Sequence, residues 1–218
     1  MGQRQSSNSP TLALGTSEAY ARQRLTKTYQ GVTRGNHGAS KSTVKGVSTH
    51  ELVYGEITWK GIDTLLQNVP MKEADFVDLG SGNGKVVHYV ALKYPVRMSR
   101  GVEIVPTRHE EAMRAHDSLR KDRHLSPVQL SLGNFRTLSM RKPTHVYTCS
   151  TCFSDETMRD IVRNMLRYTS PSSPKYLLTQ KRVIDDHNGR IQLFRHVPHV
   201  QVTWRKEHGV DYYVYKLT

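Results

Sequence analysis

Apolar and polar positions alternate along the chain in a way that predicts strands separated by helices. Short apolar runs, typical of buried strands, lie at 76–79, 100–105, 128–132, 145–150 and 176–180. Apolar spacings of three and four residues predict helices before the first strand and at 85–94, 107–123 and 156–168. Strict alternation at 199–203 and 212–217 predicts a closing hairpin. We therefore expect an α/β fold, a three-layer sandwich around a largely parallel sheet with a C-terminal antiparallel hairpin.

The strongest local signal is the stretch FVDLGSGNGK at 76–85, in which the first predicted strand ends. Three alternating glycines predict a sharp turn into a helix, whose N-terminal N–H groups can hold a ligand. The spacing is G-x-G-x-G and not the G-x-G-x-x-G of dinucleotide-binding proteins. Because Asp78 precedes the first glycine, the turn suits S-adenosylmethionine, whose amino-acid end carries an ammonium and a carboxylate. A plain glycine-rich turn is the alternative.

Two more strand ends fit the same ligand. Glu103 closes the second predicted strand about 25 residues after Asp78, an offset at which a carboxylate can bind both ribose hydroxyls. A solvated acid is the alternative reading of Glu103. After the third strand, Asn134 and Phe135 are expected to flank adenine, with the polar side chain at N6 and the ring on the adenine face.

The charge predicts an anionic partner. The 218 residues carry a formal net charge of +13, which favours nucleic acid or an assembly that contains it. Residues 1–50 contain many Lys and Arg but one acid, Glu18. We expect a basic, largely flexible arm over 1–50, with a short helix at 17–27, and a catalytic domain over 51–218. The arm is either a solvated tail or a contact for a phosphate backbone. The charged helix at 107–123, which contains Arg108, is either a contact surface or a solvated face.

Other patterns limit the class of protein. Mean hydropathy is −0.60 and no stretch approaches 18 apolar residues, so no membrane span or membrane partner is expected. Residues 1–10 lack the apolar segment of a secretory signal. Cys149 and Cys152 form a C-x-x-C without a second ligand pair, so no metal site is predicted. We expect the two cysteines to be small residues at the end of the fourth strand, beside the active cleft. Two cysteines do not make a disulfide framework, which favours a reducing compartment.

Several segments together resemble one family. They are Val53-Tyr-Gly-Glu56, Asp75–Val87, Gly101-Val-Glu103, Gly133-Asn-Phe135, Val202-Thr-Trp204 and Val210-Asp-Tyr-Tyr213. In this order they resemble the disruptor-of-telomeric-silencing family, the non-SET histone H3 lysine methyltransferases, and most of all its short protozoan members. The Tyr-Gly-Glu sequence is the specific part, because ordinary class I methyltransferases lack it. The resemblance implies the Rossmann-like class I S-adenosylmethionine-dependent fold, with methylation of a lysine in the globular core of nucleosomal H3 and S-adenosylhomocysteine as product.

The resemblance also implies roles for individual residues. Those expected to bind the cofactor are Glu56, Asp78, Gly80, Ser81, Gly82, Lys85, Val86, Glu103, Asn134, Phe135 and Cys149. Those expected to line the lysine channel, as the catalytic set, are Tyr54, Cys149, Phe153, Trp204 and Tyr213. Cys149 stands where the family has an asparagine, Asn134 where it has an aspartate, and Lys85 where it has a glutamine. The implied setting is nuclear, with a monomer that contacts nucleosomal DNA or an acidic surface through its basic arm.

Two other functions remain open at this stage. One is a class I methyltransferase that acts on RNA or on another protein, although the chain lacks the N-P-P-Y type of tetrapeptide that accompanies base methylation. The other is a non-catalytic, basic chromatin-binding module, for which the altered sequence at 149–153 is the main support.

Overall fold

The computed structural model describes residues 15–30, 32, 44, 47–185 and 187–218, and within them seven strands form one sheet. The strands are β1 Asp75–Leu79, β2 Met98–Glu103, β3 Val128–Leu132, β4 His145–Thr148, β5 Lys175–Thr179, β6 Ile191–Val200 and β7 Val210–Leu217. The helices are α1 Glu18–Tyr29, α2 Trp59–Leu66, α3 Lys85–Lys93, α4 Pro106–Leu119 and α5 Asp155–Leu166. Strands and helices alternate through the centre of the chain, as the apolar pattern predicts.

The strand order is β3-β2-β1-β4-β5-β7-β6, with β1 to β5 parallel and β7 antiparallel to both neighbours. The predicted α/β sandwich with a closing hairpin is therefore confirmed. The position of β6 differs from the prediction, since the strand begins at Ile191 and the alternating pattern marked only 199–203. As the edge strand, β6 exposes most of its side chains, and two irregularities in its pairing with β7 interrupt the alternation.

Successive side chains of each strand enter different cores. Phe76 and Tyr212 lie in the core under α1, α2 and α3, whereas their neighbours Val77 and Tyr213 lie in the core under α5. This is the two-residue period of a strand, applied to a sheet that is covered on both faces. The carboxyl ends of β1, β2, β3 and β4 meet at one edge, where ligands bind in open α/β sheets. No helix in the described ranges is long and apolar enough to cross a membrane.

Helix α1 differs from the expectation of a flexible arm. Ala21 and Leu25 are fully buried against the body of the domain, and Arg24 pairs with Asp122 at 3.1 Å. The helix begins at an N-cap, Ser17, whose hydroxyl accepts a hydrogen bond from a backbone N–H. Because the buried apolar positions form a narrow stripe in a charged helix, the composition of this segment does not predict its packing. The other residues of the expected arm lie largely outside the described residues.

Replacing Leu25 with alanine should destabilise the fold. Truncating a fully buried leucine typically costs about 2–5 kcal/mol of unfolding free energy, and Leu25 has no exposed surface. Urea unfolding followed by circular dichroism measures the loss. The matched control is Gln23→Ala on the exposed side of the same helix, which should change stability by less than about 0.5 kcal/mol. Equal stability of the two variants would show that α1 is not docked.

Candidate functional site

The site is organised around the glycine turn that joins β1 to α3. Gly80, Gly82 and Gly84 have φ values of 82°, 54° and 79°, a region that side-chain-bearing residues rarely adopt. A Cβ on Gly82 would lie 2.4 Å from Cε2 of Tyr54, so the ring of Tyr54 can rest on this turn only because residue 82 is glycine. The turn therefore brings the Tyr54 segment directly onto the carboxyl end of β1.

A cavity of about 250 Å³ opens beside the turn. Among the side chains and glycines that line it, the following were predicted from the sequence: Tyr54, Gly80, Glu103, Asn134, Phe135, Cys149, Phe153 and Trp204. A smaller pocket of about 30 Å³ shares Tyr54, Gly80 and Cys149 with the cavity. It is lined in addition by the predicted residues Glu56, Asp78, Ser81, Lys85 and Val86. The structure thus brings together at one sheet edge residues that are up to 150 positions apart in sequence.

Asp78 leaves an oxygen without a partner in the smaller pocket. Its side chain is buried, and Oδ1 has no hydrogen-bond donor among the described residues. Burial, and to a lesser degree the neighbouring carboxylate of Glu103, raises the pKa of Asp78 well above its usual range. An acid held in this way gains most from a ligand that brings a positive charge or an N–H donor.

Glu103 is fixed at the end of β2 by two backbone groups. Its Oε2 accepts the N–H of Gly82 at 2.7 Å and its Oε1 accepts the N–H of Val105 at 2.8 Å. A carboxylate oxygen can accept more than one hydrogen bond, so each oxygen keeps capacity for a hydroxyl. Glu103 lines the large cavity and can therefore hold a diol there in a fixed orientation.

Glu56 ties the Tyr54 segment to the turn. Its Oε1 accepts hydrogen bonds from the Tyr54 hydroxyl at 2.9 Å and from Nδ2 of Asn83 at 3.1 Å. Its Oε2 pairs with Nζ of Lys85 at 3.1 Å, and this ammonium lies 4.3 Å from the centre of the Trp59 ring. Glu56 and Lys85, both predicted to bind the cofactor, thus neutralise each other in the protein.

The sequence analysis expected the Asn134 side chain to contact the N6 amino group of adenine, and its amide can also act as a donor. Its Oδ1 accepts the N–H of Arg136 at 2.9 Å and caps a short 3₁₀ helix at Phe135–Thr137. The side-chain NH₂ can donate to a ring nitrogen, and Oδ1, which can accept a second hydrogen bond, can still receive the adenine N6 amino group. Phe135 lies 5.2 Å from Phe153, centre to centre, so the two rings form a continuous apolar wall.

Tyr213, which the sequence analysis expected in the lysine channel, is not among the residues that line either pocket. It stacks on His196 at 5.0 Å and packs in the core under α5. Its neighbour Tyr212 points the other way, because adjacent strand residues face opposite sides of a sheet. The Tyr212 hydroxyl lies 3.0 Å from that of Tyr147, which lines the smaller pocket, and accepts a hydrogen bond from Gln180 at 2.9 Å.

Trp204 and the two cysteines line the cavity. Trp204 is half-exposed at the cavity and covers Gly55, where a Cβ would lie 2.5 Å from Cε3 of the indole. Cys149 and Cys152 are free thiols that line the cavity. Burial raises the pKa of Cys149 to about 12. No group of three or more His, Cys, Asp and Glu residues that could hold a metal occurs in the described part of the chain.

Sequence reasoning missed several residues that shape the site. They are Glu51, Asn83, Arg108, Tyr147, Gln180 and Tyr212. Arg108 was expected on an exposed helix face, but only 5% of its surface is exposed and its side chain lines the cavity. No local pattern marks these residues, because each acts through a partner that is distant in sequence.

Comparisons with known proteins agree on the kind of fold and on the family. The model of the family described as histone methylation protein DOT1 matches residues 43–152, half of the chain. The histone-lysine N-methyltransferase of Drosophila melanogaster described as H3 lysine-79 specific is 39% identical over 64 residues. That match covers 28% of this chain and 4% of the Drosophila protein, so the chain corresponds to a small part of that relative.

Solved structures of class I methyltransferases share the architecture. An RNA methyltransferase from Salinibacter ruber, solved with S-adenosyl-L-homocysteine, superposes with a TM-score of 0.51 at 19% identity over 72% of this chain and 89% of its own. The tRNA methyltransferase TrmK from B. subtilis gives a TM-score of 0.51 at 16% identity over 72% of this chain and 64% of its own. At these identities the likeness concerns the fold.

The thiol of Cys149 should react slowly with alkylating reagents. A pKa near 12 leaves very little thiolate at pH 8, and the thiolate is the reactive form. We expect iodoacetamide at pH 8 to modify Cys149 more slowly than Cys152, whose pKa is raised less, and at least about a hundredfold more slowly than in the urea-unfolded chain. Peptide mass spectrometry over time measures both rates. Equal rates for the two cysteines in the folded protein would contradict the raised pKa of Cys149.

Proposed function

This chain belongs to the DOT1 family of histone methylation proteins, and we propose that it transfers a methyl group from S-adenosylmethionine to a lysine of histone H3. The observation that carries the proposal is the buried Asp78 carboxylate, whose Oδ1 lacks a partner in the described structure, on the same sheet edge as Glu103, Asn134 and Phe135. An acid for an ammonium, a carboxylate for a diol and an aromatic ring for a base are the groups that an adenosyl amino acid requires.

The described residues fit this cofactor from end to end. Asp78 would bind the ammonium of the amino-acid part, and Glu103 would bind the ribose hydroxyls. The ring of Phe135 would pack on adenine while the Asn134 amide donates to a ring nitrogen. Gly80 and Ser81 line the smaller pocket, where a glycine lets the backbone approach the ligand closely. Gly82 lies beneath the Tyr54 ring. Glu56 and Lys85 act mainly by holding Tyr54 over the turn.

The remaining walls suit a lysine side chain. The bound cofactor supplies a methyl group on a sulfonium centre, and a lysine can accept it only as the neutral amine. Tyr54, Phe153 and Trp204 line the cavity with aromatic rings, which exclude water and thereby lower the pKa of an entering lysine. Cys149 shares the cavity and the smaller pocket and remains a neutral thiol. Tyr212 lies behind this wall, where its hydroxyl accepts a hydrogen bond from Gln180 and lies 3.0 Å from the hydroxyl of Tyr147.

Charge supports a nucleosomal substrate in the nucleus. A formal net charge of +13 favours an anionic assembly, and a nucleosome presents both DNA and acidic protein surfaces. We propose that the chain acts as a monomer on the globular core of nucleosomal H3. In this proposal the basic residues of the amino-terminal segment contact the nucleosome, including those of the docked helix α1.

Methyl transfer measured on three substrates in parallel tests this function. Nucleosomes, free histones and RNA are incubated with labelled S-adenosylmethionine and the chain, and label is expected on H3 of nucleosomes. A Glu103→Ala variant is the negative control, because it removes the diol-binding carboxylate. Label on RNA alone would replace the proposal with an RNA methyltransferase. No label together with retained nucleosome binding would indicate a non-catalytic chromatin-binding module.

The charge of Asp78 predicts how cofactor affinity depends on pH. Because the pKa of Asp78 is raised in the protein, an ammonium must displace a proton from it at low pH. Affinity for S-adenosylhomocysteine should therefore increase as pH rises above the usual aspartate range, and level off above the raised pKa. Calorimetry at a series of pH values measures this dependence.

The Asp78→Asn variant should bind about 10–100-fold more weakly at neutral pH, the loss expected for one charge-assisted hydrogen bond. It should also lose the increase of affinity with pH. Asp117→Asn, at an exposed position of α4, is the matched control and should bind like the wild type. Unchanged affinity in Asp78→Asn would contradict the assignment of the ammonium site.

A further inference from the structure

One wall of the cavity is a short segment, residues 49–56, which we call the roof segment. It contains a 3₁₀ helix at Thr49–Leu52 and continues through Tyr54 to Glu56. Glu51, Leu52, Val53 and Tyr54 all line the cavity, together with Gly80 of the glycine turn and Glu103 at the end of β2. Since Tyr54 rests on Gly82, movement of this segment would open the space in which a ligand binds.

The two ends of the roof segment are held by different means. At its carboxyl end the backbone is paired with the segment before β7. The N–H of Thr203 donates to the carbonyl of Glu56 at 2.9 Å, and Ile57 forms a bridge with Val202. At its amino end, the hydrogen bonds to Arg108 of α4, to the start of α5 and to Cys152 each involve a side chain. The amino end is thus the part that can move without breaking the sheet.

Arg108 of α4 holds the amino end from one side. Its Nη2 donates to the carbonyl of Leu52 at 2.6 Å, and its guanidinium lies 4.8 Å from the centre of the Tyr54 ring. Nη1 lies 3.9 Å from Oε1 of Glu103. Burying a guanidinium costs several kcal/mol unless its partners compensate, and Arg108 is 5% exposed. These contacts join α4, the end of β2 and the roof segment at one cation.

Glu51 holds the same end from the other side. Its Oε1 accepts the N–H of Ser154 at 2.8 Å and the hydroxyl of Thr157 at 2.8 Å, at the first turn of α5. A carboxylate at a helix N-terminus is stabilised by the unpaired N–H groups and the helix dipole. The neighbouring His50 adds a hydrogen bond from its ring Nδ1 to the carbonyl of Cys152 at 3.2 Å. The roof segment is therefore fastened to α5 as well as to α4.

We infer that Glu51 and Arg108 are positioning residues that keep the roof segment closed over the cavity and thereby set how long the cofactor stays bound. This role does not require either residue to contact the cofactor. This inference rests on the proposed function, because it takes S-adenosylmethionine as the ligand of the cavity. Loss of the contacts of either residue loosens the amino end of the roof segment. The backbone pairing at Glu56 keeps the carboxyl end in place.

Ligand dissociation and hydrogen exchange together test the inference. Arg108→Met and Glu51→Met remove the hydrogen-bonding groups of the two residues with little change in side-chain size. Arg114→Met and Glu110→Met, at exposed positions of α4, are the matched controls. We expect S-adenosylhomocysteine to dissociate about tenfold faster from each test variant, as the loss of one hydrogen bond to a charged group predicts. We expect the controls to match the wild type.

Hydrogen exchange of the roof-segment amides, measured without ligand, supplies a readout that does not depend on cofactor binding. Exchange should increase in both test variants and stay unchanged in the controls, with an unaltered melting temperature for Glu51→Met. Wild-type dissociation rates and exchange in both test variants would overturn the inference. A wild-type chain that fails to bind S-adenosylhomocysteine would instead overturn the proposed function, and the exchange measurement would still decide whether these residues hold the roof segment. If Arg108→Met does not fold, Glu51→Met alone decides the outcome.

Discussion

The steric constraint at Gly82 is what the rest of the site depends on. The residue has a positive φ and no room for a Cβ, so the chain leaves β1 in a turn that a second segment can approach directly. The Tyr54 ring lies on Gly82, the Glu103 carboxylate accepts its N–H, and the Tyr29 hydroxyl donates to the carbonyl of the next residue at 2.9 Å. Three elements that are far apart in sequence, including helix α1, thus meet at one turn.

The acidic side chains around this turn differ in whether their oxygens have partners, and this difference indicates which ligand the site can bind. Glu56 is paired with Lys85, and Glu103 is held by two backbone N–H groups. Oδ1 of Asp78, in contrast, is buried and has no hydrogen-bond partner in the described structure. Leaving such an oxygen unpaired costs about 1–3 kcal/mol or more, which a cationic ligand would recover on binding.

Much of the fold and part of the site could be predicted because their signals are local. The glycine turn, Asp78 before it and Glu103 at the next strand end follow from short patterns, and the structure places all three at one edge. The choice between Tyr212 and Tyr213 depends on which face of β7 a residue occupies, and a pair of adjacent tyrosines does not reveal it. The burial of Arg108 depends on Leu52 and Tyr54, more than fifty positions away. Such pairings are decided by tertiary packing, which no single segment encodes.

A crystal structure with S-adenosylhomocysteine tests the central claim most directly, since it shows whether the turn and its three acids form one cofactor site. The ligand should lie between the glycine turn and the roof segment, with its amino group at Asp78, its ribose hydroxyls at Glu103 and its adenine against Phe135. A ligand bound elsewhere, or bound here with its amino group away from Asp78, would contradict the claim.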